Sequence, residues 1–140
     1  MDGREGEVRG STKAMSTFTH FEDLGAALAG NRHSAIVYAR ADGGIGFWNA
    51  GAEALFGHSP DEALGKRVDL IVPEEYRAMH WAGFGRAIGS AWRGSGSWGP
   101  VKGLHKNGER VPLEVFLTPI QEVDERAQGV LGFFRVPSSG

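Results

Sequence analysis

The chain of 140 residues contains no cysteine. That absence excludes disulfides, thiolate metal sites, thiol nucleophiles and any photochemistry that needs a cysteine-linked chromophore. Long apolar runs are missing too, since none approaches the roughly 20 residues of a membrane span. The N-terminus lacks the apolar core of a signal peptide. Neither charge sign dominates. Against 15 Lys and Arg stand 17 Asp and Glu, a formal net charge of −2. The basic residues form no stripe, so no nucleic-acid partner is expected. Signatures of catalysis are also lacking: no Walker glycine-lysine loop, no nucleophile elbow and no His-Glu-x-x-His. Gly44 and Gly46 fail the dinucleotide pattern, because Asn49 stands where a third Gly is needed. A cytoplasmic protein, neither an enzyme nor membrane-bound, is the expectation that remains.

What is present suits one domain. Hydrophobic residues make up 41% of the chain, enough for a real core, and the 22 glycines are spread without a repeat. Residues 1–17 are polar and aperiodic and read as a disordered leader. The domain is expected over 18–137, with 138–140 as a frayed end. Phe21, Leu24 and Leu28 recur at helical spacing before Gly30-Asn31, which predicts a short amphipathic helix. That helix packs on its own domain or serves as a dimer contact.

Ser34–Arg40 and Ile45–Trp48 read as strands joined by the turn Ala41–Gly44. Asn49 is placed to cap a helix over Ala50–Phe56, which Gly57 ends. Ser59 and Glu62 form a capping-box pattern for a further short turn. Pro73, Glu74 and Glu75 suit a helix start, by fixed φ and by charge at the positive end. From there Tyr76, His80, Phe84 and Ile88 recur every four residues on one stripe. This helix is expected to fray near Ser90–Gly96. Three strands follow: Trp98–Leu104, Arg110–Glu122 and Val130–Val136. Asn107-Gly108 turns the first into the second. In the second, Val111, Leu113, Val115 and Leu117 share a face. The order predicts an α+β domain, a five-stranded antiparallel sheet with helices on one face.

His80 is the residue of chemical interest. An imidazole at the centre of an apolar stripe needs a partner: a hydrogen bond in the core, or a metal at a ring nitrogen. His20, His33, His58 and His105 lie near turns or helix ends and read as solvated. Met79 is about 100° around the helix from His80, which argues against it as an axial ligand through the same pocket. Trp48, Trp81 and Trp92 read as core or interface residues. Glu74 and Glu75 read as satisfying the helix dipole rather than as an acid pair.

Asp42-Gly-Gly-Ile-Gly-Phe-Trp-Asn49, Ala52-Glu-Ala-Leu-Phe-Gly57, Glu62-Ala-Leu-Gly65, Leu70-Ile-Val-Pro73 and His105-Lys-Asn-Gly108 occur in the order and spacing of a PAS sensor domain. The chain resembles that family over roughly residues 19–137. The resemblance implies a five-stranded sheet cupping a ligand or protein-contact pocket, as the input module of a larger signalling chain. The flavin photoreceptor branch carries an Asn-Cys-Arg-Phe motif; this chain has Asn49-Ala-Gly-Ala there. The segment Pro73-Glu-Glu-Tyr-Arg-Ala-Met-His80 further resembles the heme-binding PAS domains of rhizobial oxygen-sensing kinases. That likeness implies heme b with His80 as proximal iron ligand and Arg86 at a heme carboxylate, with Arg93 or Lys102 as further candidates. It places Val115 and Leu117, after Pro112, on the distal wall. Tyr76, Phe84 and Ile88 are the expected apolar walls on the histidine side. Those kinases carry an arginine near the start of the strand after the helix, where this chain has Trp98-Gly99-Pro100. The indole N–H of Trp98 is a possible substitute donor. The implied function is sensing of O2, CO, NO or redox state, in a homodimer, with an output domain outside this chain. The alternatives are a PAS dimerisation module without a prosthetic group, and a flavin or small-acid sensor.

Overall fold

The computed structural model describes residues 21–88, 92–121 and 128–138. The expected leader over 1–17, His20 and residues 122–127 lie outside the described residues. Helix α1 (Phe21–Gly30) precedes strands β1 (Ala35–Ala39) and β2 (Ile45–Trp48). Helices α2 (Ala50–Phe56) and α3 (Pro60–Ala63) follow, then 3-10 turns over Val68–Ile71 and Glu74–Tyr76. Helix α4 (Arg77–Ile88) leads to β3 (Gly99–Leu104), β4 (Arg110–Gln121) and β5 (Gln128–Arg135). The five strands form one antiparallel sheet in the order β2-β1-β5-β4-β3. No helix among the described residues is long and apolar enough to cross a membrane.

Local chemistry sets many of these boundaries. Asn49 accepts from the Ala52 N–H at the start of α2, and Gly57 ends it at φ 89°. Ser59 and Glu62 close a capping box around α3. At the β3–β4 hairpin, Gly108 has φ 93°, and His105 and Glu109 bond across the turn at 2.9 Å. The start of α4 is different from the sequence expectation. Pro73 caps a 3-10 turn rather than an α-helix, so Tyr76 precedes α4 and Arg77 opens it.

Register divides the sheet into two faces. Val37 pairs with Gly132, Gly132 with Leu117, Phe134 with Val115, and Val115 with Gly99. The face carrying Val37, Ala39, Leu113 and Phe134 is covered by α2, α3 and the 3-10 turn at Val68–Ile71. Phe56, Ile45 and Leu113 are fully buried there, and Phe56 packs against Trp48 and Phe134 at 5.6 and 5.3 Å. Gly103 is required by that packing. A Cβ there would lie 2.8 Å from both the Leu113 and Phe56 side chains. Asn49, wholly buried, also accepts from the Ile36 N–H and reaches the carbonyls of Leu28, Asn31 and Ser34. One side chain thus ties the end of α1 to β1 and α2.

Candidate functional site

Beyond the Phe56 core, the same sheet face continues over Val115, Leu117, Val130 and Gly132, and α4 stands opposite it. No residue of α4 is buried. The helix stands off the sheet, leaving a cavity of about 980 Å³ between them. That lies at the upper end of the roughly 300–1,000 Å³ range of small-molecule sites. Its walls are mostly aliphatic and aromatic carbon, with His80, Arg86 and Lys102 among the few polar groups.

The cavity brings together Tyr76, His80, Phe84, Arg86, Val115 and Leu117. Ile88 and Trp98 do not line it. Each four-residue step along α4 overshoots a full turn by about 40°. Ile88 has therefore rotated about 80° from His80. The cavity side follows Met79, His80, Gly83, Phe84 and Ala87 instead, the i, i+3, i+4, i+7 spacing of a helix face. Met79 consequently lines the same cavity as His80 and is 70% exposed. Trp98 fails for a strand reason. It precedes Gly99, which pairs with Val115, so it falls beside Phe116 on the opposite sheet face. There its ring centroid is 5.9 Å from that of Phe116, and the Arg135 guanidinium lies over it at 3.8 Å. Trp92 lines the cavity in its place, which its sequence position did not reveal.

His80 stacks on Phe84 at 6.0 Å and meets Trp81 edge-on at 4.9 Å. Its Nδ1 is buried and has no hydrogen-bond partner. Burial lowers its pKa below the ordinary 6.5, and the Asp69 charge opposes this in part. The ring is thus neutral at pH 7, the form that offers a lone pair. Among the described residues no group of three or more His, Asp or Glu side chains is placed to hold a metal ion. His80 is the one imidazole among the described residues that line this largely apolar chamber.

Behind it, Trp81 turns away from the cavity into a socket. Its indole N–H donates to Asp69 Oδ1 at 2.5 Å, and the Arg67 guanidinium lies 4.3 Å from the ring. Arg67 also reaches the Asp42 carbonyl at 3.4 Å. Gly43, at φ 88°, meets the ring edge; a Cβ there would lie 2.6 Å from it. Arg77, one turn earlier, donates to the carbonyls of Val72 and Asp69. At the approach to α4, Arg110 grips Glu75 with two 2.7 Å bonds. Of the other histidines, His58 is more enclosed than expected. Its ring lies 6.3 Å from that of Trp48, and burial lowers its pKa despite the nearby Glu62.

The sheet cups an apolar chamber beneath a loosely applied helix in an α+β domain. A family model described as "PAS fold" matches residues 31–139, and the chain belongs to that family. No curated protein matches it. Among solved structures it is similar to the PAS domain of a protein from Colwellia psychrerythraea. There the identity is 25%, the TM-score 0.68, and 83% of this chain and 95% of that one are covered. It also resembles the PAS domain of an HTR-like protein from Haloarcula marismortui, at 20% identity and TM-score 0.63, covering 81% and 92%. A LOV protein of Rhodobacter sphaeroides shares the fold at 15% identity and TM-score 0.61, covering 78% and 62%. The domain is a sensor or interaction module of the PAS type.

Proposed function

We propose that this PAS domain binds heme b through His80 and senses a diatomic gas or the redox state of the iron. One observation carries the reading: a single neutral imidazole, with an unpaired ring nitrogen, lines a large apolar cavity. A bare ion needs several protein donors, whereas a porphyrin brings four nitrogens and asks for one axial residue. The residues present fit that group. His80 would meet the iron, Tyr76 and Phe84 would flank it, and Val115 and Leu117 would form the opposing wall. Arg86 and Lys102 also line the cavity, and neither forms an ion pair among the described residues. Both suit the heme carboxylates. When bound, the iron supplies an open coordination position for a small neutral ligand.

The chain's own residues set selectivity. The sheet wall of Leu113, Val115, Leu117 and Val130 carries no side-chain donor. It favours CO and NO, which need no hydrogen bond, over oxygen. Trp92, not Trp98, is the indole on the cavity wall. Signalling would follow from a shift of α4 or the sheet that biases an output partner. The test is an absorption spectrum after hemin titration, oxidised, reduced, and reduced under CO. A Soret band that shifts with CO and is altered by His80→Ala supports the reading. A chain that takes up no hemin refutes it.

A second reading, a dimerising module without a prosthetic group, is favoured by α1. Its Leu24 and Leu28 are 39% and 37% exposed. Sedimentation of Leu24→Ser/Leu28→Ser against the parent chain decides it: the reading requires a dimer that these changes dissociate.

A further inference from the structure

We infer that Trp81 is the positioning residue of the cavity: locked in its socket, it sets where α4 holds His80. The inference deepens the reading of His80 as the ligand-meeting side chain and rests on it. It stands on three observations. Helix α4 has no buried residue, and of its hydrophobic side chains Trp81 and Phe84 pack against the core, so few contacts define its rotation. The indole is the side chain of α4 held from several sides at once. Asp69 takes its N–H, Arg67 covers its face, and the β1–β2 turn at Gly43 abuts its edge. Finally, Trp81 is adjacent to His80 and touches its ring at 4.9 Å, yet does not line the cavity.

The geometry links these facts. Neighbouring residues of a helix are about 100° apart, so Trp81 and His80 turn together. Any rotation of α4 that swings the imidazole out of the chamber must also withdraw the indole. Withdrawal breaks the bond to Asp69 and leaves the Gly43 socket empty. Arg77, four residues before Trp81, is on the same side of the helix and holds the carbonyls of Val72 and Asp69. Trp81 and Arg77 thus form a two-point mount, and His80 is the side chain the mount presents to the cavity. Groups that hold a ligand side chain from behind matter for affinity nearly as much as the ligand itself.

The test compares Trp81→Ala, Trp81→Phe and Asp69→Asn with the parent chain. On the unloaded protein, NMR follows the contacts of the Phe84 ring, on the His80 side of α4, with the core it packs against; the Leu113 and Val37 methyl signals are the control for folding. Trp81→Ala should abolish the Phe84–core contacts while the control signals persist. Trp81→Phe keeps a ring in the socket, and Asp69→Asn keeps an acceptor for the indole; both should retain the contacts. Hemin titration should then show Trp81→Ala binding roughly 10–100-fold more weakly, with the two conservative variants close to the parent. If Trp81→Ala does not fold, Trp81→Leu, which fills the socket without the N–H or the flat face, takes its place with the same expectation. Preserved Phe84–core contacts in the truncated variant overturn the inference. A parent chain that takes no hemin but loses these contacts on truncation removes the heme reading and leaves the positioning role standing.

Discussion

Replacing Asn49 with Ala should destabilise the domain far more than the loss of a helix cap. A cap alone contributes about 1 kcal/mol. Asn49 does more, because its Oδ1 accepts from both the Ile36 and Ala52 N–H groups at 2.9 Å. Both residues are at most 4% exposed, so water does not readily replace the lost acceptor. Each buried group left unpaired costs about 1–3 kcal/mol. The amide adds a 2.7 Å bond to the Ser34 carbonyl. Together these give a loss of roughly 4 kcal/mol, or about 15 °C in Tm for a domain of this size. Urea unfolding followed by circular dichroism should show a lower midpoint with an unchanged slope. Asn49→Ser keeps a capping hydroxyl but is too short for Ile36, so it should recover about 1 kcal/mol. A loss below about 1 kcal/mol for Asn49→Ala would refute the reasoning, by showing that the orphaned groups find other partners.

Two further outcomes are expected. Gly51→Ala would place a Cβ 2.1 Å from the Ser34 carbonyl oxygen, a backbone atom that cannot rotate away. Thermal melting should report a loss of at least about 2 kcal/mol, and a melting curve like the parent's would contradict it. The Arg110 guanidinium lowers the Glu75 pKa from 4.5 to about 2. Since the folded value is the lower one, the stabilisation is complete above 4.5 and is lost as pH falls through 2. The pair is exposed and screened by solvent, so the effect is small. The Tm difference between the parent and Glu75→Gln should be constant from pH 7 to about 5 and shrink toward pH 2; a gap that widens on acidification would show that the pair does not act this way.

The elements were legible in the sequence where a few adjacent residues decide them. Gly57, Ser59 with Glu62, and Asn107-Gly108 each act within one turn of chain, and each does in the fold what its spacing implies. The alternation of Leu113, Val115 and Leu117 likewise predicted a shared face, because strand period is geometric. Tyr76, His80 and Phe84 were readable as neighbours from helical spacing, which is equally geometric, whereas Arg86 was implied only by the family resemblance. Ile88 was not, because a strict four-residue step drifts off a helix of 3.6 residues per turn.

Other assignments depended on contacts between distant segments. Trp92 and Trp98 are alike in composition and close in sequence, yet one lines the cavity and the other stacks under Arg135. The register of β3 against β4 places Trp98 beside Phe116, away from the cavity. Trp81 read as a generic core residue; its role emerges only when Gly43, Arg67 and Asp69 are brought around it. Asn49 read as a cap, and the approach of Ile36 and Ser34 made it a junction. The sequence alone determined the order of the elements, their caps and turns, and which strand face is apolar, because those follow from backbone preferences and periodicity over short range. The tertiary structure decided how far α4 stands from the sheet, which indole faces the chamber, and what holds His80 in it. Those depend on packing and register across the chain, where a shift of one residue reverses a face.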